Sequence, residues 1–190
     1  MFTPLITHDS DGTALAAPVD AARRNGATYK TRTIDDLRIK DDRLRAAIEG
    51  TGHLLFDGGM GTMLQAAGLK LGARPEELNI TDPALIEGIH GQYAAAGSRI
   101  VNANTFGASA HKLAGSAYTL EQVITAGIEN CKRACAPYGA LTALDVGPLG
   151  ELLEPSGTLA FEDAVAEYAR IVKAGEAAGA DLIFFETYTD

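Results

Sequence analysis

The sequence has few cysteines, few basic residues and no long apolar segment, and each shortage excludes a class of protein. Cys131 and Cys135 are the only two cysteines, too few for a disulfide framework or a four-ligand metal site. There are 16 Lys and Arg residues against 25 Asp and Glu, a net charge of −9, so the protein would repel nucleic acid and anionic membranes. We therefore expect a small-molecule partner, with no nucleic acid and no membrane.

The first thirty residues do not resemble a signal peptide, because they lack a continuous apolar core and include Asp9, Asp11 and Asp20. No segment of the chain approaches the length of a membrane span. These two absences predict a cytoplasmic protein. Residues 1–32 also lack a helical or strand period, and we interpret them as a disordered or loosely packed tail, which leaves residues 33–190 as the folded domain.

Within residues 33–190, short apolar segments alternate with segments of helical spacing. A charged amphipathic helix is predicted before Gly50, and later helices begin at the N-cap residues Asp82 and Thr119. The apolar segments are HLLFD, SRIVNANTF, LTALDVGP and DLIFFETYTD. The side chains predicted to face inward from the last long helix are Phe161, Val165, Tyr168 and Val172.

Apolar strands that are each followed by a helix are typical of a parallel sheet buried on both faces, so the predicted class is α/β. The strands end at Asp57, Asn104, Asp145 and Glu186, spaced 47, 41 and 41 residues apart. This period favours a (β/α)8 barrel of the TIM type over a doubly wound sheet. A whole barrel needs roughly 250 residues. The sequence therefore predicts the first half of a barrel, about four βα units, truncated after the fourth strand.

Polar side chains stand at every predicted strand end, where barrels of this kind carry their chemistry. Asp and Asn are also ordinary turn residues, but a carboxylate inside the apolar segment FFET needs a further reason, since buried carboxylates rarely lack a partner. Asp57 and Glu186 are therefore predicted to contact a ligand. The glycines of DGGMGT lack the lysine of a P-loop and the third glycine of a dinucleotide fingerprint.

What the segment GGMGT offers is close backbone approach and the amino terminus of a helix, which favours an anion. Two carboxylates beside such a helix end would bind an ammonium group next to an anionic group. This combination of groups predicts an α-amino acid as the ligand.

Five motifs, in order between about Leu44 and Asp190, resemble those of the homocysteine S-methyltransferase family: DGGMGTMLQAAGL, PEELN, NANTFGAS, DVGPLGELLEPSG and FFETYTD. They are most similar to the amino-terminal homocysteine-binding domain of cobalamin-dependent methionine synthases. The resemblance implies a (β/α)8 barrel and a methyltransferase that transfers a methyl group to the zinc-bound thiol of L-homocysteine, giving methionine. It also implies that Asp57 and Glu186 bind the substrate amine. The other substrate-binding residues it implies are Gly58, Gly59 and Thr62 near the carboxylate, Asn104, Thr105 and Phe106 on the pocket floor, and Gly147 and Pro148 in the wall.

The resemblance does not extend to the zinc-binding residues of the family. The family holds zinc with three cysteines on later strands, and this chain has no such pattern. Cys131 and Cys135 are predicted as small buried side chains of a helix, so no catalytic or metal-binding residue is assigned within the chain. The zinc ligands are expected beyond residue 190, and the 190-residue chain is expected to be an incomplete and inactive portion.

The resemblance leaves the methyl donor open between methylcobalamin, betaine and an S-methyl compound. Cobalamin and methyltetrahydrofolate would require further domains, so a methyl-donor domain or protein is the expected partner. Two other interpretations also stay open. The chain could be a non-catalytic remnant that binds an amino acid or assembles with a partner, or an unrelated barrel enzyme, such as an aldolase or a pterin-binding enzyme, with a similar Asp-Gly-Gly turn.

Overall fold

The computed structural model describes residue 39, residues 41–70 and residues 72–188. These residues fall into two compact units, divided between Leu54 and Leu55. The first unit contains helix α1 (Asp42–Ile48), which begins where the Asp41 carboxylate accepts hydrogen bonds from the first backbone N–H groups. No residue of α1 is buried. The tail predicted at residues 1–32 lies outside the described residues.

The second unit alternates helices and strands in the predicted order. Its two predicted N-caps are confirmed: the Asp82 carboxylate accepts the Leu85 N–H at 3.2 Å, and Thr119 and Gln122 form a reciprocal capping box. The elements are helix α2 (Met60–Ala66), a 3-10 helix (Pro75–Glu77), helices α3 (Leu78–Thr81) and α4 (Pro83–Ala96), strand β1 (Ile100–Asn102), helix α5 (Leu120–Cys135), a second 3-10 helix (Ala136–Tyr138), strand β2 (Leu141–Val146), helix α6 (Phe161–Ala177) and strand β3 (Leu182–Phe185).

The strands form one parallel sheet in the order β1-β2-β3, so neighbours in the sheet are also neighbours in sequence. The first predicted strand is reduced to a single parallel bridge between Phe56 and Ile100, which extends the same order by one position. Sequential parallel order is that of a (β/α)8 barrel, whereas doubly wound sheets reverse direction partway. The α/β class is therefore confirmed, and the half barrel stays a prediction.

The two faces of this sheet have different surroundings. Val101, Leu144 and Val146 belong to the hydrophobic core shared with α5 and α6, so this side is the helix face. Side chains alternate along a strand, which directs Asn102 and Asp145 to the opposite side. That opposite side also carries Phe184, which pairs in register with Asp145 and stacks on Phe56 with ring centroids 4.7 Å apart. We call it the site face.

Helix α6 corrects one prediction about packing. Of the side chains predicted to face inward, Val172 is buried, but Phe161 is 57% exposed and Val165 is 51% exposed. The helix instead buries a side rich in small residues, where a Cβ at Gly175 would lie only 2.5 Å from the Leu144 side chain. The close approach that Gly175 allows fixes the rotation of α6 on the sheet, and large side chains alone do not predict it.

Within the described ranges, none of the helices combines the length and the apolar character that crossing a bilayer requires.

Candidate functional site

The candidate site lies where the parallel strands end, on the site face of the sheet. Hydrogen bonds hold Asp57, through its carboxylate, and Glu186, through its backbone, to the neighbouring strand. Asp57 Oδ1 accepts the N–H of Asn102 at 3.1 Å, and the N–H of Glu186 donates to the Val146 carbonyl at 3.2 Å. Asp57 and Glu186, 129 positions apart in sequence, thereby come to the same edge of the sheet.

Three carboxyl groups interact at this edge. Burial raises the pKa of Asp57 to about 6, and the negative charge of Glu186 adds to the rise. Burial also raises the pKa of Asp145 to about 7, with further contributions from Glu186 and Asp57. Both shifts mean that the ionised carboxylates are held in unfavourable surroundings. A bound cation would relieve this, because it stabilises the charged form of each group.

Asp145 was predicted to end a strand, but it was not predicted to contact a ligand. It is 7% exposed, and the Thr105 hydroxyl holds its backbone by accepting its N–H at 3.1 Å and donating to its carbonyl at 2.8 Å. Among the described residues its Oδ1 has no hydrogen-bond partner. The available signal was a carboxylate at the end of an apolar strand, the same signal that identified Asp57.

The glycine turn after Asp57 packs against helix α4. A Cβ at Gly58 would lie 3.0 Å from the Tyr93 ring, and the Tyr93 hydroxyl donates to the Gly59 carbonyl at 3.2 Å. The Thr62 hydroxyl donates to the same carbonyl at 3.1 Å. Gly59 is the N-cap residue of α2, and no side chain of the described residues caps this helix. The turn thus offers backbone rather than side chains to a ligand.

Two residues of the predicted pocket floor make hydrogen bonds to other parts of the fold. The Asn104 carboxamide points toward α3, donating to the Pro75 carbonyl at 2.8 Å and to Asn79 Oδ1 at 2.9 Å. The Thr105 hydroxyl is engaged with the backbone of Asp145, as described above. These contacts give Asn104 and Thr105 a bracing role, and their contact with a ligand stays a prediction.

Phe106 and Gly147 form a close contact at the end of β2. A Cβ at Gly147 would lie 2.6 Å from the Phe106 carbonyl oxygen and from its ring, so a larger residue would displace this segment. The Tyr188 hydroxyl donates to the Gly147 carbonyl at 2.9 Å. Pro148, which follows, is half-buried. The Lys112 ammonium lies 4.8 Å from the centroid of the Phe106 ring, a cation–π distance.

Glu76 is a second carboxylate near the site that the sequence did not identify. It is buried, its Oε1 accepts the Gly107 N–H at 2.7 Å, and burial raises its pKa. Lys112 is its main positive neighbour, and the same lysine is attracted by Asp145. Glu76 lies in the segment PEELN, one of the motifs that carry the family resemblance. The sequence feature that could have identified it is an acidic residue within that motif.

No cluster of three metal-binding side chains occurs in residues 41–70 and 72–188. Cys131 and Cys135 are buried in the core of the helix face, as predicted, with their sulfur atoms 3.8 Å apart. The hydrogen bond with the Cys135 thiol, together with burial, raises the pKa of Cys131, which disfavours the thiolate that zinc requires. The described residues therefore do not fit a zinc site.

Comparison with known proteins places this geometry in a family context. Residues 54–190 match the homocysteine S-methyltransferase family. Two solved structures of the homocysteine methyltransferase MmuM from Escherichia coli are similar. The oxidised form is 25% identical with a TM-score of 0.64 and matches 75% of this chain and 56% of its own. The metallated form is 27% identical with a TM-score of 0.65 and matches 76% of this chain and 57% of its own. This chain thus spans a little over half the length of these relatives.

Proposed function

The chain belongs to the homocysteine S-methyltransferase family, and we propose that it forms the amino-acid-binding part of an enzyme that methylates the thiol of L-homocysteine to give methionine. One observation carries the proposal. Asp57 and Glu186 are each anchored to the adjacent strand and interact electrostatically beside the Gly58–Gly59 turn. A negative pair next to exposed backbone suits a ligand with an ammonium and a carboxylate group.

Asp57 and Glu186 bind the substrate ammonium in this proposal, and the backbone of Gly58, Gly59 and Thr62 lies near the substrate carboxylate. An ammonium between the two carboxylates stabilises their charged forms, so binding lowers the pKa of Asp57 from about 6. The bonds are charge-assisted and orient the amino acid along the sheet edge. The thiol end then extends away from Asp57 and Glu186.

Activation of the thiol belongs to other residues in this proposal. The family's zinc needs a cysteine set that the described residues do not supply. We propose that the 190 residues are by themselves an inactive portion of the enzyme, and that the enzyme is cytoplasmic. We propose a donor of the methionine synthase type, with methylcobalamin and methyltetrahydrofolate bound by further domains. The coverage of a little over half of the E. coli enzyme supports the first point.

The test is methyl transfer by the full-length protein, with methylcobalamin, betaine and S-methylmethionine supplied in turn. Asp57→Asn is expected to lower kcat/KM for homocysteine by about 100-fold or more, because a carboxylate paired with a charged group is lost. Asp82→Asn is the matched control, since it makes the same change at an N-cap where Asn serves equally well. Full activity in Asp57→Asn would contradict the proposed amine contact.

A second candidate function is an amino-acid sensor without catalysis, which the lack of a metal-ligand cluster in the described residues favours. The same assay separates the two. A full-length protein that binds L-homocysteine but forms no methionine with any of the three donors would support the sensor.

A further inference from the structure

Two buried oxygen atoms on the site face lack hydrogen-bond partners among the described residues: Asn102 Oδ1 and Asp145 Oδ1. They lie on adjacent strands. Asn102 pairs in register with Ala143, two residues before Asp145, so the alternation of side chains puts both on the same face. Both atoms are acceptors when the Asp145 carboxyl is ionised. Native proteins rarely leave buried acceptors unpaired, so two on one face indicate a missing donor.

The neighbouring donors in the described residues are already engaged. The Thr105 hydroxyl donates to the Asp145 carbonyl, and the Asn102 N–H donates to Asp57. Lys112 attracts both Glu76 and Asp145 electrostatically, yet Asp145 Oδ1 remains unpaired while the lysine lies over the Phe106 ring. The described residues therefore supply no donor for the two oxygens.

The charge of the surroundings defines the chemistry of that molecule. Among the described residues, Asp57, Glu76 and Glu186 all act on Asp145 as negative charges, and Lys112 is the one positive group that acts on it. A neutral donor would leave the excess of negative charge in place. A primary ammonium would neutralise part of it and would bring three N–H donors.

We propose that Asp145 and Asn102 are direct binding residues for the substrate ammonium, in addition to Asp57 and Glu186. This inference rests on the proposed function, since it takes an α-amino acid as the ligand. The site would then present an acceptor from each strand: Asn102 from β1, Asp145 from β2 and Glu186 just after β3. These acceptors and Asp57 would share the three N–H donors of the ammonium. The protein would consequently select strongly for a free α-amino group.

The test compares two ligands that differ only in the amine. L-Homocysteine and 4-mercaptobutanoate are titrated by calorimetry into the full-length protein and its Asp145→Asn variant. The wild type should prefer homocysteine by about 100-fold or more, since a site built around a polar group rejects the analogue without it. Asp145→Asn should reduce this preference by about tenfold, with the affinity for 4-mercaptobutanoate changed by less than about threefold.

Glu76→Gln is the matched control. It removes the same charge close to Asp145, but Glu76 already has a partner in the Gly107 N–H, and glutamine can accept the same bond. Its preference for homocysteine should change by less than about twofold. An equal loss of preference in both variants would mean that only the overall field matters, and would overturn the proposal.

Two outcomes for Asp145→Asn also overturn it. If both ligands weaken equally, Asp145 acts on the fold rather than on the amine. If neither changes, the Oδ1 is paired by water or by a side chain outside the described residues. Should Asp145→Asn fail to fold, Asn102→Leu replaces it as the test, because it removes the other acceptor and keeps the side-chain size. The same loss of preference is expected, and an unchanged preference overturns the proposal.

L-Homoserine, which keeps the amine but lacks sulfur, separates this inference from the proposed function. A protein that methylates no thiol, yet binds homoserine through Asp145, has the ammonium site without the methyl transfer. A protein that methylates homocysteine and retains its preference in Asp145→Asn has the methyl transfer without this ammonium site. If the wild type binds neither L-homocysteine nor L-homoserine, the proposed ammonium site is overturned.

Discussion

Two of the regions described in this structure contain buried polar side chains, and they differ in whether the hydrogen bonds of those side chains are made. On the side of α3 and α5, Asn79 donates to the carbonyls of Asn104 and Val123, while Asn104 and Asn130 donate back to Asn79. On the site face, Asn102 and Asp145 each keep an unpaired oxygen. The same residue types thus find their hydrogen-bond partners within the protein in one region and lack a partner in the other. The difference separates groups that hold the fold from groups that await a ligand.

His90 is an exception that tests this distinction. It is fully buried in α4, and neither ring nitrogen has a partner among the described residues. Burial alone lowers its pKa to about 4, so the ring is neutral at physiological pH. Unlike the pKa of Asp145, that of His90 is not shifted by a charged neighbour in the described part of the chain. We interpret it as a core side chain.

The largest effect is expected in the paired region. Asn79→Ala removes the donor to the Asn104 and Val123 carbonyls and one of the two acceptors of the Asn104 amide, which keeps its bond to the Pro75 carbonyl. The loss of these buried bonds should lower the free energy of unfolding by about 2–4 kcal/mol. Urea denaturation measures it. Thr81→Ala is the control, because it removes an exposed hydroxyl at the end of the same short helix, which donates to the carbonyl of Glu77, the residue just before that helix, and it should change stability by less than about 0.5 kcal/mol. A small effect of Asn79→Ala would show that the network does not hold the fold.

The unpaired region should behave in the opposite way. The pKa of Asp145 is raised from 3.8 to about 7 in the folded protein, so the stability that its protonated form provides is present below pH 4 and is lost as the pH rises through 7. Without ligand, Asp145→Asn should therefore gain stability relative to wild type between pH 5 and pH 8, by about 1–3 kcal/mol. The titration of His90 contributes equally to the stability of both proteins, so it does not affect the difference between them. Parallel stability curves for the two proteins over this range would contradict the pKa shift.

The smallest effect is expected where pairing occurs at the surface. Arg170 makes a two-pronged ion pair with Glu121 at 2.6 and 3.0 Å, but both side chains are about half exposed. Water and salt screen such pairs, so Arg170→Ala should lower the free energy of unfolding by less than about 1 kcal/mol. Denaturation at low and high salt checks this. A loss comparable to that of Asn79→Ala would mean that burial is not what separates the two regions.

Much of the local structure could be predicted from the sequence. Asp82 and Thr119 were predicted as caps because capping depends on a residue and the three that follow it. Asp57 and Glu186 were predicted to meet because parallel strands end at one edge. The family was identified from motifs that the match over residues 54–190 confirms.

Other features depended on contacts between distant segments. The rotation of α6 follows from the fit of Gly175 against Leu144. The first predicted strand pairs with β1 only at the bridge between Phe56 and Ile100. Glu76 was missed because its partner, the Gly107 N–H, lies 31 positions away. None of these contacts produces a periodic pattern of residues from which it could be predicted.

The sequence by itself determined the α/β class, the order of the elements, their caps and the acidic residues at the strand ends, because propensity, periodicity and capping act over a few residues. Only the tertiary structure decided which of the polar groups are paired. Asn79, Asn104 and Asn130 satisfy one another across three separate segments, whereas Asp145 is buried with an open oxygen. Whether a buried group finds a partner depends on the packing of elements far apart in the chain, and that packing exists only in the folded molecule.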